Sequence, residues 1–144
     1  MTAFLQNFLP YRLNRLSEAM SLQVRPIYKE LLGLTRPEWR VLAAIADLGP
    51  CSATEVCDHS AQHKTKVSRA VYALSERRWV ARAPDTRDRR SEVLTLTEAG
   101  QRAYATLIGP LSAREAELIE RLAPADRDAL LRGLAALEAA VLRR

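Results

Sequence analysis

The stretch from Gln62 to Leu96 constrains this chain most, because its hydrophobic period switches there from helical to extended within a few residues. Val67, Val71 and Leu74 recur four and three apart and share one face of a helix, whereas His63, Lys64, Lys66 and Arg69 lie largely away from it. Directly afterwards Trp79-Val80-Ala81-Arg82 and Glu92-Val93-Leu94-Thr95-Leu96 have the length and composition of two strands, joined by the tip PDTRDRRSE. Few folds place a cationic helix next to a hairpin that carries three arginines at its end.

Upstream, Ser52 to Cys57 reads as a short helix that the serine caps. The polar segment Asp58-His59-Ser60-Ala61 separates it from the cationic helix, which runs from Gln62 to about Arg78. A short helix, a tight turn and a longer cationic helix form a helix-turn-helix pattern, whose second helix fits the major groove of B-form DNA. Any pair of joined helices can produce that pattern, so the hairpin adds the specificity: arginine enters a narrow minor groove, where the potential is most negative. The aspartates of the tip, Asp85 and Asp88, are expected to pair with neighbouring arginines and hold the loop, leaving at least one guanidinium free.

Charge supports the same placement. Of the 22 basic and 17 acidic residues, nine basic and three acidic ones fall between Gln62 and Ser91, so this segment carries +6 while the remainder sums to about −1. A positive field confined to one segment is the footprint of a surface for polyanions, against the plainer reading of a solvated basic face.

The flanks are helical. Leu9, Leu13, Leu16, Met20, Val24 and Ile27 form the stripe of a long first helix, with Pro26 predicted to kink its end. After Gly33, Thr35-Arg36-Pro37-Glu38 reads as the start of a second helix, which Gly49-Pro50 stops. Thr97-Glu98 opens a helix over about 98–121, and Pro124-Ala125-Asp126 opens a last one to about Val141. Leu107, Leu111, Leu118, Leu122, Leu130, Leu134, Leu137 and Val141 add more apolar surface than a small winged module needs. The terminal helices are therefore expected to pack together and against a second copy. The fold class is mainly α with a small β wing: a winged helix-turn-helix DNA-binding domain over residues 35–97, with N- and C-terminal dimerisation helices over 1–34 and 98–144. No apolar run approaches the roughly 20 residues of a membrane span, and the start MTAFLQNFLP has no signal-peptide pattern, so a cytoplasmic protein is expected.

The runs HKTKVSRAVYALSERRWVAR and DTRDRRSEVLTLTEAG resemble the recognition helix and wing of MarR-type winged helix-turn-helix transcription regulators. The likeness extends over nearly the whole chain, including Trp39-Arg40-Val41-Leu42 and Leu96-Thr97-Glu98-Ala99-Gly100. It implies a homodimer on a pseudo-palindromic duplex, most simply a repressor released by a small ligand. Carried over by position, His63, Lys64, Thr65, Lys66, Ser68 and Arg69 would face the major groove. Arg87 or Arg89 would enter the minor groove, and Asp88 with Arg90, beside Asp85, would brace the wing. The family's effectors, many of them phenolic or aromatic carboxylic compounds or their thioesters, lie between the dimer helices and the DNA-binding lobe. Arg15, as partner for a carboxylate or phosphate, and Trp39, as a stacking surface, are the corresponding candidates here, each competing with an ordinary structural role. One departure is Arg78, where the family often has glycine; a left-handed backbone there would cost on the order of 1 kcal/mol.

Other chemistries fit less well. Cys51, Cys57, His59 and His63 are of metal-ligating type, but Cys57 and His59 are only two apart and all surround the reading turn, so neither metal nor cofactor is expected. Asp58-His59-Ser60 is no catalytic triad, because adjacent side chains do not converge, and no enzyme activity is expected. Two free thiols give no disulfide framework. The family's redox-sensing branch uses a cysteine in the first helix, which this chain lacks, and Cys57 is expected as a small core residue. The competing functions are a winged-helix module that meets an acidic protein partner, and a regulator sensing oxidation through Cys57.

Overall fold

The chain opens on a short helix, α1 (Phe4–Asn7), and the rings of Phe4 and Phe8 stack at 4.9 Å before α2 (Leu9–Leu32) begins. Pro10 sits in the first turn of α2, where its missing N–H would be unpaired in any residue. The computed structural model describes residues 4–142 and divides after Pro110 into two compact units. Pro26 does not end α2: the helix continues to Leu32 and closes on Gly33 (φ 64), whose N–H donates to the Lys29 carbonyl at 2.9 Å.

The first unit holds the helix-turn-helix. Thr35 caps α3 (Arg36–Leu48) in a reciprocal box with Glu38, and Ser52 caps α4 (Ala53–Ser60) in the same way with Glu55. The predicted break at Asp58-His59-Ser60 is not there; α4 runs through these residues. The His59 ring pairs with Asp47 of α3 at 2.7 Å, and the buried Ser60 hydroxyl donates to the Val56 carbonyl at 2.6 Å, so both side chains find partners without breaking the helix. The turn begins only at Ala61, which takes a left-handed conformation (φ 49), and α5 covers Lys64–Glu76 with His63 as its cap.

Val41, Leu42 and Ile45 of α3, Val56 of α4, and Val67, Val71 and Leu74 of α5 form the centre of the core, completed by Tyr28, Leu34, Val80, Leu94 and Leu107. Each such side chain contributes about 1.5–3 kcal/mol on burial, so together they fix the angle between α4 and α5.

The strands are β1 (Val80–Pro84) and β2 (Glu92–Leu96), antiparallel, with Val80 opposite Leu96 and Pro84 opposite Glu92. β1 thus begins one residue later and ends two residues later than the sequence predicts. Trp79 is left to the connection, its ring 5.0 Å from the Arg77 guanidinium. The middle of β2 is tied to the helix-turn-helix through Cys51, whose N–H donates to the Leu94 carbonyl at 3.0 Å and whose carbonyl accepts from the Leu94 N–H at 2.7 Å. Where β2 ends, Thr97 grips the exit of α5. Its hydroxyl donates to the Arg78 carbonyl at 2.7 Å, its N–H donates to the Trp79 carbonyl at 3.0 Å, and α6 (Glu98–Glu120) starts from it.

Arg78 does adopt the left-handed region, with φ 60. Replacement by glycine removes the steric cost of a side chain there. Arg78→Gly is expected to stabilise the protein by about 1 kcal/mol, less the extra freedom glycine gains when unfolded, read as a higher denaturant midpoint.

The second unit contains the end of α6 and α7 (Pro124–Val141). Arg127 closes the turn between them: its Nε donates to the Leu122 carbonyl at 3.0 Å and its Nη2 to the Glu120 carbonyl at 3.1 Å. Leu130, Leu131 and Leu134 remain exposed on α7. Among the described residues no helix is long and apolar enough to cross a membrane.

Candidate nucleic-acid interface

At 100° per residue, the buried Val67, Ala70, Val71 and Leu74 occupy one side of α5, and Thr65, Arg69 and Tyr72 stand opposite them. Lys64 and Ser68 flank that outward line on one side and Lys66 on the other. All six residues of this arc are exposed. Tyr72, at 61% exposure, is a member of the face that charge and polarity do not mark; its spacing of three from Arg69 is the available signal. His63 stands at the helix start, where Nδ1 accepts from the Thr65 N–H at 3.2 Å. Its ring is therefore held by the cap.

One concave surface joins the helix to the wing. It is lined by the cap His63 and by Lys64 and Ser68 of the reading helix, by Arg82, Arg89 and Arg90 of the hairpin, and by Cys57 of α4. Arg82 is fixed across the hairpin by Glu92, whose Oε2 accepts from both Nε (2.9 Å) and Nη2 (2.7 Å). Arg90 belongs to this cationic surface together with Lys64. Cys57 is half-buried and lines the concavity, which corrects its placement in the core. Cys51 is the buried thiol, and burial, then the charge of Glu55, pushes its pKa up to about 11.

One of the expected ion pairs is present, Asp85 with Arg87, and both aspartates also hold the tip through backbone amides. Asp85 Oδ1 accepts from the Arg87 backbone N–H at 2.9 Å, and Asp88 Oδ1 from the Arg90 backbone N–H at 3.0 Å, two successive Asx turns. The Asp85 N–H donates to the Ser91 carbonyl at 3.0 Å and closes the loop. Arg90 thus takes part in the brace through its backbone, and its side chain is not needed for it. The Arg87 guanidinium lies 3.6 Å from Asp85 and is 89% exposed. The Arg87 amide, and then the Arg87 charge, hold Asp85 below the usual carboxylate range. A depressed value stabilises the folded tip above the unfolded carboxyl's pKa, and that contribution is lost as pH falls through the lowered one.

The two effector candidates lie on separate features. Arg15 lines a shallow groove with Leu5, Leu9, Arg12 and Leu16, whereas Trp39 stacks on Tyr28 at 5.6 Å.

A helix-turn-helix whose outward helix face and adjoining hairpin both present cations defines a winged-helix DNA-binding protein. Residues 32–91 match the model of the MarR family. A curated relative, the uncharacterized HTH-type transcriptional regulator YwoH of Bacillus subtilis (strain 168), is 26% identical over 100 residues, 69% of this chain and 72% of that protein. The MarR/EmrR family regulator from Acinetobacter sp. ADP1 superposes with a TM-score of 0.81 at 26% identity, over 96% of this chain and 98% of that one. Bordetella bronchiseptica BpsR, whose DNA binding is regulated by 6-hydroxynicotinic acid, gives 0.73 at 24% identity, over 88% and 98%. The matched segment, residues 32–91, is MarR-type winged helix-turn-helix sequence, and nearly the whole chain shares the fold of MarR-family DNA-binding transcription regulators.

Proposed function

We infer that the protein acts as a homodimer on a pseudo-palindromic operator, as a repressor that a small aromatic carboxylate or its thioester releases. One observation carries the DNA-binding half of this reading: Lys64 and Ser68 of α5 and Arg89 and Arg90 of the wing share one concave cationic surface. In that reading Thr65, Lys66, Ser68, Arg69 and Tyr72 meet base edges and phosphates in the major groove, with His63 and Lys64 at its entrance. Arg87 and Arg89 reach the flanking minor groove. The dimer is supported by apolar side chains that the chain leaves uncovered, Leu9, Leu16 and Met20 on α2 and Leu131 and Leu134 on α7, which a two-fold partner would bury. The effector class is supported by BpsR, a fold relative that responds to a hydroxylated aromatic acid. Differential affinity for a dimer whose reading helices no longer match two half-sites is the means by which such a ligand would act.

Titration of duplex DNA at several salt concentrations tests the reading. Affinity is expected to fall steeply and log-linearly with salt, with a slope of about −0.9 for each phosphate neutralised. A flat response, or no binding at low salt, would favour an acidic protein as partner.

A further inference from the structure

On the side of α5 away from the wing, the start of α3 and the reading turn form a second notch, lined by Arg36, Pro37, Arg40, Ala61, Gln62, His63 and Lys66. Three cationic residues, Arg36, Arg40 and Lys66, contribute to its lining. Arg40 is committed within the fold, because its guanidinium donates to the Ser60 carbonyl and so ties α3 to the end of α4. Burial, and then the charge of Arg36, lowers its pKa, so the two arginines already repel one another. The ionic partner of Arg36 is Glu18 of α2, 2.5 Å from Nη1, and both side chains are accessible, at 36% and 58%. The lining of the notch therefore carries an excess of positive charge, and Glu18, outside that lining, is the exposed carboxylate that pairs with Arg36.

A helix lying in the major groove has a phosphate backbone on each side of it. The wing concavity supplies cations on one side of α5, and this notch supplies them on the other. We propose that the Arg36–Lys66 notch is a phosphodiester-binding site for the second DNA strand, with Glu18 occupying Arg36 in the free protein and giving it up to the phosphate. The proposal rests on the reading of α5 as the groove helix. It assigns Glu18 a role opposite in sign to that of Arg36: a carboxylate that competes with the ligand weakens binding even though it forms an ion pair. A purely structural tie between α2 and α3 would make loss of either partner act in the same direction.

That difference in sign is the test, with a labelled duplex of random sequence and binding followed by fluorescence anisotropy over a salt series. Arg36→Gln is expected to lower affinity about tenfold and reduce the salt slope by about two per dimer, since each protomer would neutralise one phosphate fewer. Glu18→Gln, an exchange on an exposed helix face, is expected to raise affinity about threefold, and Arg36→Lys to restore most of the slope. If Glu18→Gln and Arg36→Gln both weaken binding, or neither changes it, the notch is structural and the proposal is wrong; Glu18→Gln alone decides this should Arg36→Gln fail to fold. Inorganic phosphate, compared with chloride at equal ionic strength, separates a backbone site from a free-anion site: an Arg36-dependent rise in melting temperature without DNA would overturn the assignment to DNA. Steep salt dependence that is indifferent to Arg36 sinks this proposal alone, whereas a flat response of the unchanged chain removes the groove reading as well.

Discussion

Gly100→Ala is expected to destabilise the protein by about 3 kcal/mol, the upper part of the range for overpacking a closed site, and to lower its melting temperature by about 6–12 °C. A Cβ built on Gly100 would stand 2.1 Å from the Trp79 carbonyl oxygen and 2.9 Å from its carbon. Both atoms belong to backbone, so no side-chain rotation relieves the overlap. The helix cannot simply be pushed away either. The Gly100 N–H donates to the Thr97 hydroxyl at 3.1 Å, and that hydroxyl donates to Arg78, while the Thr97 N–H holds the Trp79 carbonyl itself. Moving α6 out by the ångström or so a methyl requires would break the clasp that joins the end of α5 to the start of β1, and with it the angle between reading helix and wing. Thermal unfolding monitored by circular dichroism checks the stability. A change of less than about 0.5 kcal/mol, the range of an ordinary surface substitution, would mean that α6 does not approach Trp79 in this way.

The same cluster shows what the sequence discloses and what it withholds. Leu96-Thr97-Glu98-Ala99-Gly100 is readable as a helix start, because threonine caps and glutamate favours the first turn. The need for glycine is not readable, since it arises from an atom twenty-one residues earlier in the chain. Long amphipathic segments and capping boxes act over three or four residues, so α3 and the α7 bounds at Pro124 and Val141 agree with the sequence reading. α4 does not, because the polar residues that suggest a break are satisfied by Asp47 and by the helix's own carbonyl. The cations on α5 and the wing are legible from charge alone. That Arg90 and Arg36 line two concave surfaces beside α5 is not legible, because it depends on how α3, α5 and the hairpin pack.

Removal of both wing-tip arginines, Arg87→Ala with Arg89→Ala, is expected to lower affinity for duplex DNA on the order of a hundredfold and to reduce the salt slope by about three to four, because each protomer of a dimer would neutralise two phosphates fewer. The loss should be nearly uniform across sequences, because a guanidinium in the minor groove answers to groove width and potential and distinguishes bases poorly. Substitution at Thr65 or Lys66 should instead alter preference at particular positions of the site. The double variant is a clean probe, since the hairpin keeps its shape without these side chains: the turn bonds run from Asp85 and Asp88 to backbone amides, and the strands are joined by Arg82 and Glu92. The ion pair that the double variant removes, Arg87 with Asp85 at 3.6 Å, has its guanidinium in solvent and adds little to stability. An unchanged melting temperature with a flattened salt response would therefore locate the defect at the protein–DNA interface. Unchanged affinity would mean that the wing tip does not touch the duplex, and the minor-groove role would pass to Arg90 and Arg82, the hairpin cations that line the concavity beside α5.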